Sequence, residues 1–185
     1  MTVLGSFPAF WIGMVLISIF GVQLSLLPIF GAYTMWGATG NALLDIIRHL
    51  IMPTGTLVLV TVGIFFTTSR YSVLNVLEQD YIKMAEARGI SRFRINIHYI
   101  IRNSLIPVFT LLMMEAGYIF SGALVVEKLF SYPGIGLLLF DAVMARDYPL
   151  MQYSFLLTSF TVVAAVFLAD LMNGMIDPTM RNAYE

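Results

Sequence analysis

Four stretches of this sequence are each apolar over about the 20 residues that a helix needs to cross a bilayer core. They run from about Phe7 to Leu27, Leu50 to Thr68, Ser104 to Val126 and Leu150 to Ile176. Pro28 stops the first, and Pro53 falls in the first turn of the second, where a proline is tolerated. The third carries a single acid, Glu115, and the fourth a single acid, Asp170. Only 11% of all residues are charged and 59% are hydrophobic. A soluble domain carries about a quarter charged residues to wet its surface, so this chain cannot cover itself with polar groups. The sequence therefore predicts an all-α, polytopic membrane protein with about four transmembrane helices.

Other classes fall away on composition. The net charge of −1 provides no field to recruit nucleic acid. With no cysteine and two histidines, disulfide frameworks and cysteine metal sites are excluded. No charge of either sign precedes Asp45, so the start does not read as a cleavable signal peptide. It reads either as a first helix without a charged lead-in or as a chain whose upstream sequence is missing.

Between the spans, Leu129 to Phe140 is apolar but too short to cross. It is broken by Pro133-Gly134 and Gly136, which predicts a re-entrant or interfacial segment. Ile29 to Asn41 reads as a loop with Tyr33 and Trp36 at headgroup level. Basic residues set the orientation. Arg70, Lys83, Arg88, Arg92, Arg94 and Arg102 share one loop and Arg181 lies in the tail, against Arg48, Lys128 and Arg146 in the opposite loops. This places the long loop and the C-terminus in the cytoplasm. The expectation is one domain, residues 1–185, with an inner loop at 70–103 and an outer segment at 127–149.

The inner loop is patterned. Asn75 to Glu78 fits a capping box, with Asn75 as N-cap. Tyr81, Met84 and Ala85 fall on one face of a short helix, which Gly89 can end in a left-handed conformation. Ser91 can N-cap a second helix with Ile95, Tyr99 and Ile100 on one side. The result is a helix–Gly–helix elbow. Its small residues Ala85, Ala87 and Gly89 would let another protein approach, and its arginines would orient that partner. The same pattern also fits an amphipathic loop lying on anionic lipid headgroups.

The stretch Asp80-Tyr-Ile-Lys-Met-Ala-Glu-Ala-Arg-Gly-Ile-Ser91 resembles the cytoplasmic coupling loop of binding-protein-dependent ABC importer permeases. The similarity is to the oligopeptide, dipeptide and nickel branch. His98-Tyr-Ile-Ile-Arg-Asn-Ser-Leu-Ile-Pro107, Glu127-Lys-Leu-Phe-Ser-Tyr-Pro-Gly-Ile-Gly136, Ala145-Arg-Asp-Tyr-Pro149 and Asp177-Pro-Thr-Met-Arg181 resemble later segments of that family, in its order. Ser6-Phe-Pro-Ala-Phe-Trp11 resembles the start of an internal span. The general permease motif opens Glu-Ala-Ala, whereas Lys83-Met84-Ala85 stand here. The resemblance implies a type I ABC importer permease bundle in the inner membrane that lacks roughly its first third. It implies coupling through Tyr81, Ala85, Glu86, Ala87, Arg88, Gly89 and Ile90. It also implies partners: ABC ATPase subunits, a second permease subunit, an extracytoplasmic solute-binding protein and membrane lipid.

Glu115 is expected either on a translocation path or bonded to a neighbouring helix, and Asp170 as a snorkelling or packing residue. His49 and His98 fall on opposite sides by this topology and cannot share a metal; each is expected to make an interfacial hydrogen bond. Gly134-Ile-Gly136 reads as a bend rather than a nucleotide fingerprint. No Walker motif and no catalytic constellation is present, so the chain is not expected to be an enzyme and no cofactor is implied. Two competing functions remain open on pattern: a gradient-driven transporter or channel using Glu115, and a membrane scaffold.

Overall fold

A computed structural model of the chain describes residues 7–34, 41–121 and 123–176. Ser6, Trp36 and the Asp177–Arg181 segment lie outside the described residues. Among the described residues every regular element is helical. In order they are α1 (Ala9–Leu16), continuing as a π-helical stretch over Ile17–Gln23, then α2 (Ala42–Leu77) and α3 (Asp80–Ala87). The short α4 (Arg92–Arg94) runs through a second π-helical stretch, Ile95–Ile101, into α5 (Arg102–Ser121). Then come α6 (Leu124–Leu129), α7 (Ile135–Ala145) and α8 (Tyr148–Ile176).

The all-helical membrane class expected from the sequence holds, with a corrected span count. Three helices among the described residues are long and apolar enough to cross a membrane: Ala42–Leu77, Arg92–Ile119 and Tyr148–Leu171. The stretch expected as the first span instead forms the shorter apolar helix Ala9–Gln23. Ser25, not Pro28, marks its end. Ser25 takes a left-handed φ of 49°, and its hydroxyl donates to the Val22 carbonyl at 3.2 Å. The second span is longer than its apolar run, because the helix continues past Thr68 on a face that carries Val73 and Val76 into an apolar cluster. The third begins earlier than expected and is broken at Ala123, which leaves the helical region before α6 starts.

The chain gathers into two compact units. Of the described residues, one comprises those within 1–63 and 118–162, the other those within 64–117 and 163–185. In the first, Phe130, Met52 and Val126 are buried, with Ile17, Phe20, Ile29 and Leu57 packed around them. The Gly31 N–H donates to the Phe130 carbonyl at 2.9 Å. Asp45 accepts from both the N–H and the hydroxyl of Thr34, at 2.7 and 2.8 Å, fixing the loop against the first turn of α2. Buried His49 donates Nδ1–H to the Asp45 carbonyl at 2.8 Å. Helix α8 starts where Asp147 accepts the Leu150 N–H at 3.1 Å, with Pro149 in a first turn that needs no donor. Its large apolar side chains point outward; Leu156 is 70% exposed and Phe160 69%. Such faces suit lipid, where helices associate through packing rather than through hydrophobic transfer.

Candidate functional site

The second unit contains the elbow. Helix α3 starts after Gln79, whose backbone is extended at φ −70° and ψ 142°. Asn75 is not a cap: it sits inside α2, and its carbonyl accepts from the Gln79 side chain at 3.3 Å. The expected capping box at Asn75–Glu78 is therefore corrected. The end of α3 is as expected. Gly89 adopts φ +74°, its N–H donates to the Glu86 carbonyl at 2.9 Å, and the Ile90 N–H reaches back to the Ala85 carbonyl at 3.2 Å. This pair of nested bonds closes a helix that ends in a left-handed residue, a conformation that costs a glycine little. Ile90 then folds back onto the apolar cluster that holds Ala85.

That cluster is the base of the elbow. Ile82, Ala85, Ile95 and Ile100 are buried, with Val73, Val76, Tyr81, Ile90 and Tyr99 packed against them. The inward face of α3 is thus Ile82 and Ala85, whereas Met84 is 55% exposed. Ala85 is 4% exposed and so is no surface for a partner; its small size serves the packing underneath. Glu86, Ala87, Arg88 and Gly89 form the exposed corner, while Tyr81 and Ile90 are half-buried. Arg92, Phe93 and Arg94 are also exposed, Phe93 at 76%. Ser91 stands at the N-cap position of α4 but makes no side-chain capping bond. Lys83 and Asp80 pair at 3.0 Å on the surface, where such a contact contributes little.

Two polar contacts fasten this base. Asn103 Nδ2 donates to the Tyr81 hydroxyl oxygen at 3.1 Å, and the Ser72 hydroxyl donates to the Ser104 carbonyl at 2.7 Å. Nothing in the spacing of Ser72, Asn103 and Ser104 announces these pairs; they are thirty-two and twenty-two positions apart in sequence. Beside them opens a cleft of about 590 Å³, lined by uncharged groups that include Tyr71, Asn75, Gln79 and Asn103. Glu115 is half-buried on α5, outside the elbow, and Asp170 and His98 are exposed.

In the first unit, the bend at Gly134-Ile-Gly136 has a specific cause. The half-buried Glu127 carboxylate accepts from the Ala123 N–H at 3.1 Å and the Leu137 N–H at 2.7 Å. It closes α6 at its own start and caps the first turn of α7. Any Cβ at Gly134 would overlap that carboxylate, and one at Gly136 would press on the Leu124 backbone. Lys128 lies 3.6 Å from the centroid of the Phe140 ring, a cation–π contact. An acid followed by Pro-Gly-Ile-Gly in an apolar run was the sequence signal for this clasp.

Long apolar helices and an exposed corner on a closed apolar base define a helical membrane component. Over residues 1–182 the sequence matches the family of binding-protein-dependent transport system inner membrane components, and the chain belongs to that family. It is 33% identical, over 197 aligned positions, to the dipeptide transport system permease protein DppB of Escherichia coli (strain K12), covering 96% of this chain and 58% of that protein. It is 35% identical to the di/tripeptide transport system permease protein DppB of Pseudomonas aeruginosa (strain UCBPP-PA14), covering 96% and 57%. It is 36% identical to the glutathione transport system permease protein GsiC of Escherichia coli (strain K12), covering 95% and 54%. The chain thus spans a little over half the length of these curated relatives.

Proposed function

We propose that this chain forms membrane-spanning structure in an ATP-driven importer of small peptides or related small solutes, and that a separate ATPase subunit docks on its elbow. The observation that carries the reading is the corner Glu86–Gly89, exposed on a base whose apolar core is closed. A Cβ added at Gly89 meets nothing within 4 Å, so the corner is open to a partner's approach. In this reading Glu86, Ala87, Arg88 and Gly89 make the contact, while Tyr81, Ala85 and Ile90 hold its shape. The chain performs no chemistry itself; closure of the ATPase pair moves the elbow as a body and rocks the attached helices. The elbow and the C-terminus face the cytoplasm, and a solute-binding protein delivers cargo to the opposite side around 127–149. A second permease subunit completes the path, and Glu115 lines it, an acid being costly where it faces lipid.

The test replaces Gly89 by proline in the assembled complex. Proline cannot take a positive φ and removes the N–H that bonds Glu86. The expected result is a loss of about tenfold or more in co-purified ATPase, equal to about 1.4 kcal/mol, with the membrane subunit still accumulating. Unchanged ATPase recovery together with unchanged transport-linked hydrolysis would refute the docking role.

A further inference from the structure

The segment Arg102-Asn103-Ser104-Leu105-Ile106-Pro107 opens the helix that follows the elbow, and docking at the exposed corner leaves it without a role. Its geometry supplies one. Pro107 lies inside α5 and lacks the N–H that would reach the Asn103 carbonyl, while its ring crowds that carbonyl. Residues 103 and 104 each place a polar group against a neighbouring helix. Asn103 bonds Tyr81 in the first turn of α3, and the Ser104 carbonyl takes the Ser72 hydroxyl from the last turns of α2.

The π-helical stretch Ile95–Ile101 sets this up. In an α-helix, residues five apart point about 140° away from each other. Bonds from i to i+5 narrow that angle to about 50°. Ile95 and Ile100 are accordingly both buried in the elbow core. Apolar contact of this kind is non-directional and permits sliding. The two hydrogen bonds are directional. Ser72 is 7% exposed and Ser104 5%, so water cannot readily replace the bond between them.

We infer that Asn103 and Ser72 are positioning residues, Asn103 clamping α3 to α5 and Ser72 clamping α2 to α5, so that a displacement of α3 is passed on to α5 and through it to α2 instead of being absorbed between them. The clamp's transport role rests on the proposed docking of an ATPase; its mechanical role does not.

The experiment uses the intact membrane complex with its ATPase and solute-binding subunits. Asn103→Ala, Ser72→Ala and the double variant are compared with wild type in three readouts. These are ATPase recovery, solute transported per ATP hydrolysed, and amide hydrogen exchange without nucleotide, over residues 80–90 for Asn103 and over residues 68–77 for Ser72. ATPase recovery is expected to hold. Transport per ATP is expected to fall about fivefold in each single variant, the size of one hydrogen bond, with exchange rising by a similar factor. Ser72→Thr keeps the hydroxyl and is expected to restore both. Asn103→Leu removes the Tyr81 bond with the side-chain volume kept, and serves if Asn103→Ala does not accumulate. Wild-type exchange in the single variants overturns the clamp, as does wild-type transport per ATP. Because exchange needs no docking, it decides the clamp even where Gly89→Pro leaves ATPase recovery unchanged and only the docking reading fails.

Discussion

The elbow and the outer segment are both short helix–break–helix elements, yet they are held in opposite ways. The elbow is fastened at its edges. Neutral hydrogen bonds from Asn103 and Ser72 tie α3 to α5 and α2 to α5, and a Cβ at the Gly89 corner would meet nothing within 4 Å. The outer segment is fastened at its centre. One carboxylate, Glu127, grips the backbone on both sides of the break. The glycines follow suit. Gly89 is needed for its left-handed φ of 74°, whereas Gly134 has an ordinary φ of −128° and is needed only for space. The corner is left open on an anchored base, while the bend at Gly134 is closed on its own carboxylate.

The largest effect tests the clasp. Gly134→Val would drive a branched side chain into the Glu127 carboxylate. Overpacking combined with loss of charge-assisted bonds is expected to destabilise by about 3 kcal/mol or more. Glu127→Gln keeps the shape but offers a donor where two N–H groups need acceptors, and is expected to lose about 2 kcal/mol. Thermal unfolding in lipid nanodiscs measures both. If Gly134→Val were as stable as wild type, the carboxylate would not occupy the glycine cradle, and the contrast between the two regions would collapse.

Gly89→Ala sharpens the same contrast at smaller cost. The methyl group meets open space, so only the left-handed backbone is penalised, at about 1 kcal/mol. Gly89→Asn is expected to lose less than Gly89→Ala, because asparagine tolerates this conformation. At Gly134 the order reverses, since asparagine is the larger intruder. Thermal unfolding of the four variants reads the crossing directly, and parallel losses at both positions would show that the two glycines answer the same need.

Much of this was legible in the sequence because it is local or periodic. The apolar lengths that place α2 and α8, and the glycine that ends α3, follow from residues within a few positions of one another. What stayed hidden depends on distant pairs. Ser72 meets Ser104 and Tyr81 meets Asn103 across thirty-two and twenty-two positions, with a π-helical stretch in the chain between them that no residue type dictates. Ala85 looked like a contact surface because small residues suit both a partner and a tight core; burial alone separates the two. Asn75 and Glu78 carried a helix-start pattern, but α2 ran on through Asn75 to Leu77, with Val73 and Val76 still joining an apolar cluster. The first apolar run was long enough to span on composition, and the left-handed Ser25 ended it early.

The smallest effect belongs to Ser91, where sequence and geometry part most finely. Its backbone has the extended ψ of 139° expected of a residue that opens a helix, but its hydroxyl caps nothing. A working cap is worth about 1 kcal/mol. Ser91→Ala is instead expected to change stability by less than about 0.5 kcal/mol, the range of ordinary surface substitutions. ATPase recovery is expected to stay at the wild-type level. The reason is that α4 is continuous with the π-helical stretch and α5, so its start is held by the burial of Ile95 and by the clamp at residues 103 and 104. A loss near 1 kcal/mol would mean that the hydroxyl does close the first turn. The elbow would then carry a local clasp of its own, as the outer segment does at Glu127.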